Sequence, residues 1–266
     1  MMAGSAEIRR SPRHFTVERL CPPGLMRLGV IVLLLASWEA FARVFPSPLF
    51  FSPPSAVARG LVDILSNQGV RGALLLTLWQ LAVGFVLSTV IGLAIGLPVG
   101  LHRFSYRSLF PMILLGYAIP QATILPLFVL MFGTGSASKI AYGFTHGVFP
   151  IIISVVGALH HVKPSLVTCA KTMGATKLQI LQLVILPSII PSLFTGMRLA
   201  MAATLLGTLL AELYVTSAGI GYYSHTFTET FRPDLLFALI VVLATMAIVL
   251  NEIMRRAEIR HNEWRT

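Results

Sequence analysis

Few residues in this chain have the type and spacing to do covalent chemistry. Cys21 and Cys169 lie 148 residues apart, with neither the spacing of a zinc site nor that of a redox pair. No Gly-x-x-x-x-Gly-Lys-Ser/Thr loop is present to cradle a nucleotide phosphate, so ATP-driven work would need a separate protein. His146 and Glu212 sit in different apolar runs with no further candidate ligands beside them, which argues against a catalytic or metal centre. Ionisable groups in apolar spans are costly and are functional candidates by default. Glu212 reads either as a group lining the outer end of a pathway or as a helix-end cap near water. His146 reads first as a hydrogen-bonded packing residue and second as a solute contact. Gln121, which follows Pro120, can both donate and accept hydrogen bonds; it is the best candidate for a polar group facing a solute and reads equally as a group that bonds one helix to another. The sites to seek are therefore a docking surface and a pathway.

The candidate docking surface lies in the polar-punctuated stretch from Lys163 to Pro187, which composition alone would read first as an ordinary interfacial loop. Pro164 suits the first turn of a helix, and Gly174 suits its end, because glycine takes the left-handed terminal conformation without steric cost. The spacing predicts a helix over about 164–173. Thr176 followed by Gln179 forms a capping-box pattern, so a second helix begins there, with Leu178, Leu181 and Ile185 as one apolar stripe. A helix-turn-helix at a membrane surface follows, with Gly174-Ala175 as its exposed tip. Thr168, Ala170, Lys171, Thr172, Met173, Gly174 and Ala175 are its candidate contact residues, Met173 offering an adaptable apolar surface.

Ala170, Gly174 and the Ile185-Leu186-Pro187 end, followed by Gly196-Met-Arg-Leu-Ala200, resemble the EAA motif of membrane subunits in binding-protein-dependent ABC importers. Phe132-Gly-Thr-Gly135, Ser138-Lys-Ile140 and Ala218-Gly-Ile-Gly-Tyr222 are similar to the nitrate, sulfonate and taurine branch, and the likeness runs from about Trp38 to Arg256. The motif's opening Glu-Ala is Thr168-Cys169 here, so the family's glutamate is absent. The resemblance implies an all-α integral membrane fold of six transmembrane helices with a cytoplasmic coupling helix, similar to MetI. It also implies a homodimer of permeases, two copies of an ABC ATPase docked on the coupling loops, and a periplasmic or extracellular solute-binding protein. The implied cargo is a small anion such as a sulfonate, nitrate, taurine or an aromatic carboxylate, although some members of the family carry thiamine precursors. No cofactor is expected in this chain.

Composition agrees with a membrane protein. Hydrophobic residues make up 56% and charged residues 11%, against about a quarter charged in soluble domains, and the mean hydropathy is +0.82. The net charge of +10 is dispersed at the ends of apolar runs, not gathered on one basic face, so it reads as a topology signal and not as nucleic-acid binding. Residues 1–27 read as a basic cytoplasmic tail, 28–254 as the permease domain with its coupling loop at about 160–187, and 255–266 as a second basic cytoplasmic tail. The run over 28–44 could be a secretory signal, but Trp38-Glu39 interrupts its small-residue region and a long tail precedes it. It reads as a retained helix.

Spans are expected over about 28–44, 74–101, 109–132, 140–159, 189–213 and 235–254, each near or above the roughly 20 residues that cross a bilayer core. Pro46, Pro48, Pro53 and Pro54 break the chain before a short surface helix, capped by Ser55 and carrying Val57, Leu61 and Leu65 on one face. Gly92, Gly96 and Gly100 predict close approach of another helix. Pro111, Pro120 and Pro126 divide the third span, making it a candidate pathway wall. Gly196, Ala200, Ala203 and Gly207 form a small-residue face suited to close helix contact or to the seam of a permease dimer. Arg198 and Glu212 are too far apart on one helix to pair, and Arg198 is expected to snorkel or to bind carbonyls near the coupling segment.

Six spans put both termini on one side. That side carries fourteen Lys or Arg, including the coupling segment, and the other five, including Lys139, so the termini are expected in the cytoplasm of a bacterial inner-membrane protein. An ion-gradient-driven secondary transporter is the alternative, but it would be favoured by paired mid-membrane acids or inverted repeats, which the sequence lacks.

Overall fold

A computed structural model describes residues 23–45, 51–215 and 218–262. Arg9, Arg10, Arg13, Arg19, Cys21, Pro46 and Pro48 lie outside the described residues. The described chain is all helical: α1 Pro23–Val44, α2 Pro54–Ser66, α3 Gln68–Leu101, α4 Arg103–Ala118, a 3-10 turn Gln121–Ile124, α5 Leu125–Phe132, α6 Ser136–His160, α7 Pro164–Thr172, α8 Lys177–Ile180, a π-turn Leu181–Ile185, α9 Leu186–Tyr214, α10 Ile220–Glu229 and α11 Pro233–Asn262. Five helices are long and apolar enough to cross a membrane, and α4 with α5 makes a sixth passage if that pair, bent by 81°, counts as one.

The bundle is built on α3, α6 and α9. The glycine expectation holds. A Cβ at Gly92 would lie 2.7 Å from Ile151, one at Gly96 would lie 3.1 Å from Val155, and Gly100 abuts Leu159. Three successive α3 turns therefore rest on the matching turns of α6, and the two helices run parallel. α9 returns antiparallel, with Gly196 against Ser154 and Gly207 against the His146 ring. Gly196, Ala200 and Gly207 are buried by α6 of the same chain, so this face is an internal contact and not a dimer seam.

Several boundaries differ from expectation. α3 starts at Gln68, because Asn67 caps it through Gly69 N at 2.8 Å and Val70 N at 3.3 Å. Ser55 does not cap α2. The residue before that helix is Pro53, and Ser55 instead donates its amide and hydroxyl to Glu39 at 3.0 and 2.8 Å, tying α1 to α2. The buried face of α2 is Val57, Gly60 and Ile64 against α11, with Leu65 left exposed. The third span breaks at Pro120 alone. Pro111 lies within α4, and Pro126 occupies the first turn of α5, where its missing N–H costs nothing.

The coupling segment does not end in a separate helix. α8, the π-turn and α9 form one continuous helix over Lys177–Tyr214, although Pro187 reads as a stop. The proline ring would crowd the carbonyl four residues back, and the wider π-turn just before it, with Leu186 N–H bonded to Leu181 O, makes room. α10 was not expected. Its Ile220, Tyr223 and Phe227 recur at helical spacing and pack in a cluster with Val57, Ile64 and Leu239.

Candidate functional site

The docking candidates are brought together on one exposed projection. α7 closes in a Schellman motif: Ala175 N bonds Ala170 O at 3.0 Å, Gly174 N bonds Lys171 O at 3.0 Å, and Gly174 has φ +79°. The next helix opens with the expected capping box, in which Thr176 N donates to Gln179 Oε1 at 2.8 Å and Gln179 N to Thr176 Oγ1 at 3.3 Å. The bend is therefore capped on both sides by hydrogen bonds of its own residues. Thr168, Lys171, Thr172, Met173 and Gly174 are exposed, with Met173 81% accessible, while Ala170 and Ala175 are half-buried. Leu178 is also exposed, and Ile180, outside the expected stripe, is the residue buried against the bundle.

The pathway candidates lie apart from this projection. Gln121 sits at the break between α4 and α5, where its Nε2 donates to Thr145 O at 3.5 Å and its Oε1 is buried without a hydrogen-bond partner. His146, the next residue along α6, is half-buried, with Nδ1 3.1 Å from Tyr142 O and its ring against Tyr142. These two candidates are therefore neighbours. A cavity of about 760 Å³ opens next to Gln121 in the chain, lined by Ala122, Leu125, Pro126, Val129, Tyr214 and Val215, together with Thr134; neither Gln121 nor His146 is among its lining residues. Tyr142 packs in the cluster that includes Leu125 and Val215.

Glu212 faces away from that cavity. It is fully buried, and its carboxylate accepts from Thr77 Oγ1 at 2.7 Å and Gly221 N at 3.0 Å. Lys139, expected as a surface charge, is 1% exposed inside α6 and donates from Nζ to Ala218 O at 2.7 Å. Sequence reasoning missed this role, although the glycines of 218–221 gave a signal that something must approach the backbone closely. Arg198 pairs with Glu258 on α11 at 3.3 Å, a partner 60 residues on that helical spacing cannot reveal.

A bundle of long apolar helices that holds out a doubly capped polar bend at one end, and a cavity beside a broken helix at the other, is a polytopic membrane transport subunit. The chain belongs to the family described as binding-protein-dependent transport system inner membrane component, whose profile matches residues 88–259. It is similar to the taurine transport system permease protein TauC of Escherichia coli, at 29% identity over 90% of this chain and 89% of that one. It is also similar to the riboflavin transport system permease protein RibX of Chloroflexus aurantiacus, at 30% identity over 91% of this chain and 89% of that one. Among solved structures, the MetNI methionine ABC transporter in an inward-facing conformation shares the fold, with a TM-score of 0.61 and 21% identity over 73% of this chain and 99% of that one.

Proposed function

We propose that this chain is the permease subunit of an ATP-driven importer, working as a homodimer that docks two copies of a separate ABC ATPase and receives a small anion from an external binding protein. The carrying observation is the exposed projection formed by α7, Gly174 and the start of α8, which is capped on both sides of its bend and lies inside the stretch matched by the family. Thr168, Ala170, Lys171, Thr172, Met173, Gly174 and Ala175 form its docking surface. The missing motif glutamate leaves apolar contact through Met173 and the shape of the bend as the main grip.

The basic-residue count supports placing this end, both termini and residues 160–187 in the cytoplasm. The cavity at the break between α4 and α5 is then part of the outer half of the pathway. A helix break at membrane depth is tolerated where the backbone is buried or lines a cavity, which supports that assignment. Relatives named for taurine, aliphatic sulfonates and nitrate support a small organic or inorganic anion as cargo.

The test is co-purification with candidate ATPases and ATP hydrolysis in liposomes, comparing the natural chain with Gly174→Asp. A complex that this substitution breaks or uncouples supports the reading. Absence of any ATPase partner, with transport that survives ATP depletion and collapses with the ion gradient, sinks it in favour of a secondary transporter.

A further inference from the structure

Two buried charged side chains, Glu212 and Lys139, lie at the end of the bundle away from the coupling segment. Glu212 is 0% and Lys139 1% exposed, and a buried carboxylate and ammonium are costly unless hydrogen bonds surround them. Their partners converge on one short stretch of backbone. Gly221 N donates to Glu212 Oε2 at 3.0 Å, and Ile220 N donates to Thr77 Oγ1 at 3.0 Å, which itself donates to Glu212 Oε1 at 2.7 Å. Lys139 Nζ donates to Ala218 O at 2.7 Å and lies within electrostatic reach of Glu212. One side chain from each of α3, α6 and α9 therefore grips residues 218–221. Glu212 also stands where a negative charge is favoured, at the amino end of α10.

The turn is shaped to this grip. A Cβ on Gly219 would run into the Glu212 carboxylate, and one on Gly221 would come within 2.7 Å of Leu213 N. The same stretch of chain begins with Tyr214 and Val215, which line the cavity beside α5. Glu212 itself belongs to the helix that starts at Lys177, directly after the docking bend.

We infer that Glu212, Thr77 and Lys139 are positioning residues of transport: they latch the 218–221 turn and so hold the Tyr214–Val215 wall of the cavity in place. The importance of that wall for solute passage rests on the permease reading, but the latch itself can be measured without it.

The full-length chain is prepared with Cys21→Ser and Val215→Cys, and labelling by a small water-soluble thiol reagent is followed at position 215, with exposed Cys169 in α7 as internal reference. Val215 is only 9% exposed, so its replacement reacts slowly while the wall is held. Thr77→Val and Glu212→Ala each raise the rate at 215 relative to Cys169 by about tenfold, the scale of one lost hydrogen bond to a charged group. Glu212→Gln, which keeps one acceptor oxygen, restores part of the protection. Should Glu212→Ala fail to fold, Thr77→Val decides, since it removes one hydroxyl and leaves both charges. An unchanged ratio in Thr77→Val overturns the latch, as does a parallel rise at both cysteines, which would mean general loosening. No ATPase enters the measurement, so a failed co-purification would sink the permease assembly and leave this result untouched.

Discussion

At Gly219 a methyl group has no free space. The backbone there is left-handed, with φ +100°, and an added Cβ would collide with the Glu212 carboxylate. The conformation alone costs a non-glycine residue about 1–3 kcal/mol, and displacing a fully buried carboxylate adds to it. Gly133 is the matched control: its φ is also positive, at +74°, but a Cβ there meets nothing within 4 Å. Gly219→Ala is expected to lower the midpoint of thermal unfolding in detergent further than Gly133→Ala does, by about 3 °C or more. Equal shifts in the two variants would show that the grip on the turn is not tight. By contrast, Arg198 and Glu258 pair where both remain partly exposed, and such pairs contribute about 0–1 kcal/mol. Arg198→Ala is expected to leave the same midpoint nearly unchanged.

Among the elements, the contact between α3 and α6 depends most on small side chains. Gly92 brings α3 so close that Ile151 would stand 2.7 Å from an added Cβ. Overpacking of this kind costs about 1–3 kcal/mol, so Gly92→Ala should destabilise the chain, and Ile151→Ala, which removes the Cγ2 methyl in that contact, should cost less in the Gly92→Ala background than alone. Thermal midpoints of the four members of that double-mutant cycle test it, and strict additivity would refute direct contact. This face was legible in the sequence, because glycine at every fourth position of an apolar helix has few other uses. The docking bend was legible too, since Pro164, Gly174, Thr176 and Gln179 are local signals acting within one turn. The continuity of α8 with α9 was not. Pro187 signals a break, and the π-turn that accommodates it depends on how the rest of the helix lies on the bundle. Lys139 was misread for a related reason: a charge at the edge of an apolar run looks like surface, and its carbonyl partner, Ala218, lies 79 residues away.

Across the whole molecule, the coupling segment and the gripped turn occupy opposite ends of the same helix. If the coupling end is cytoplasmic, a cysteine at exposed Met173 is shielded from an impermeant thiol reagent in intact cells, and a cysteine at exposed Glu229 is labelled. The reverse pattern would invert the topology. The helix over Lys177–Tyr214 has 38 residues, about 57 Å at 1.5 Å per residue, which exceeds a hydrocarbon core of about 30 Å. A rod of that length can carry a displacement at the docking bend to the turn at the far end, provided that it does not flex between them. Its weakest stretch is the π-turn over Leu181–Ile185, next to Pro187, where regular hydrogen bonding is already interrupted. Inserting two glycines after Val184 leaves the docking bend and its caps intact but separates them mechanically from the bundle. The complex with the ATPase is then expected to survive and ATP hydrolysis to continue, while solute uptake in liposomes falls at least about tenfold, which corresponds to about 1.4 kcal/mol of lost coupling. Uptake that persists alongside hydrolysis would mean that motion reaches the outer turn by another route, and the contact of α6 with α9 would be the next to examine, since α6 leads directly into α7.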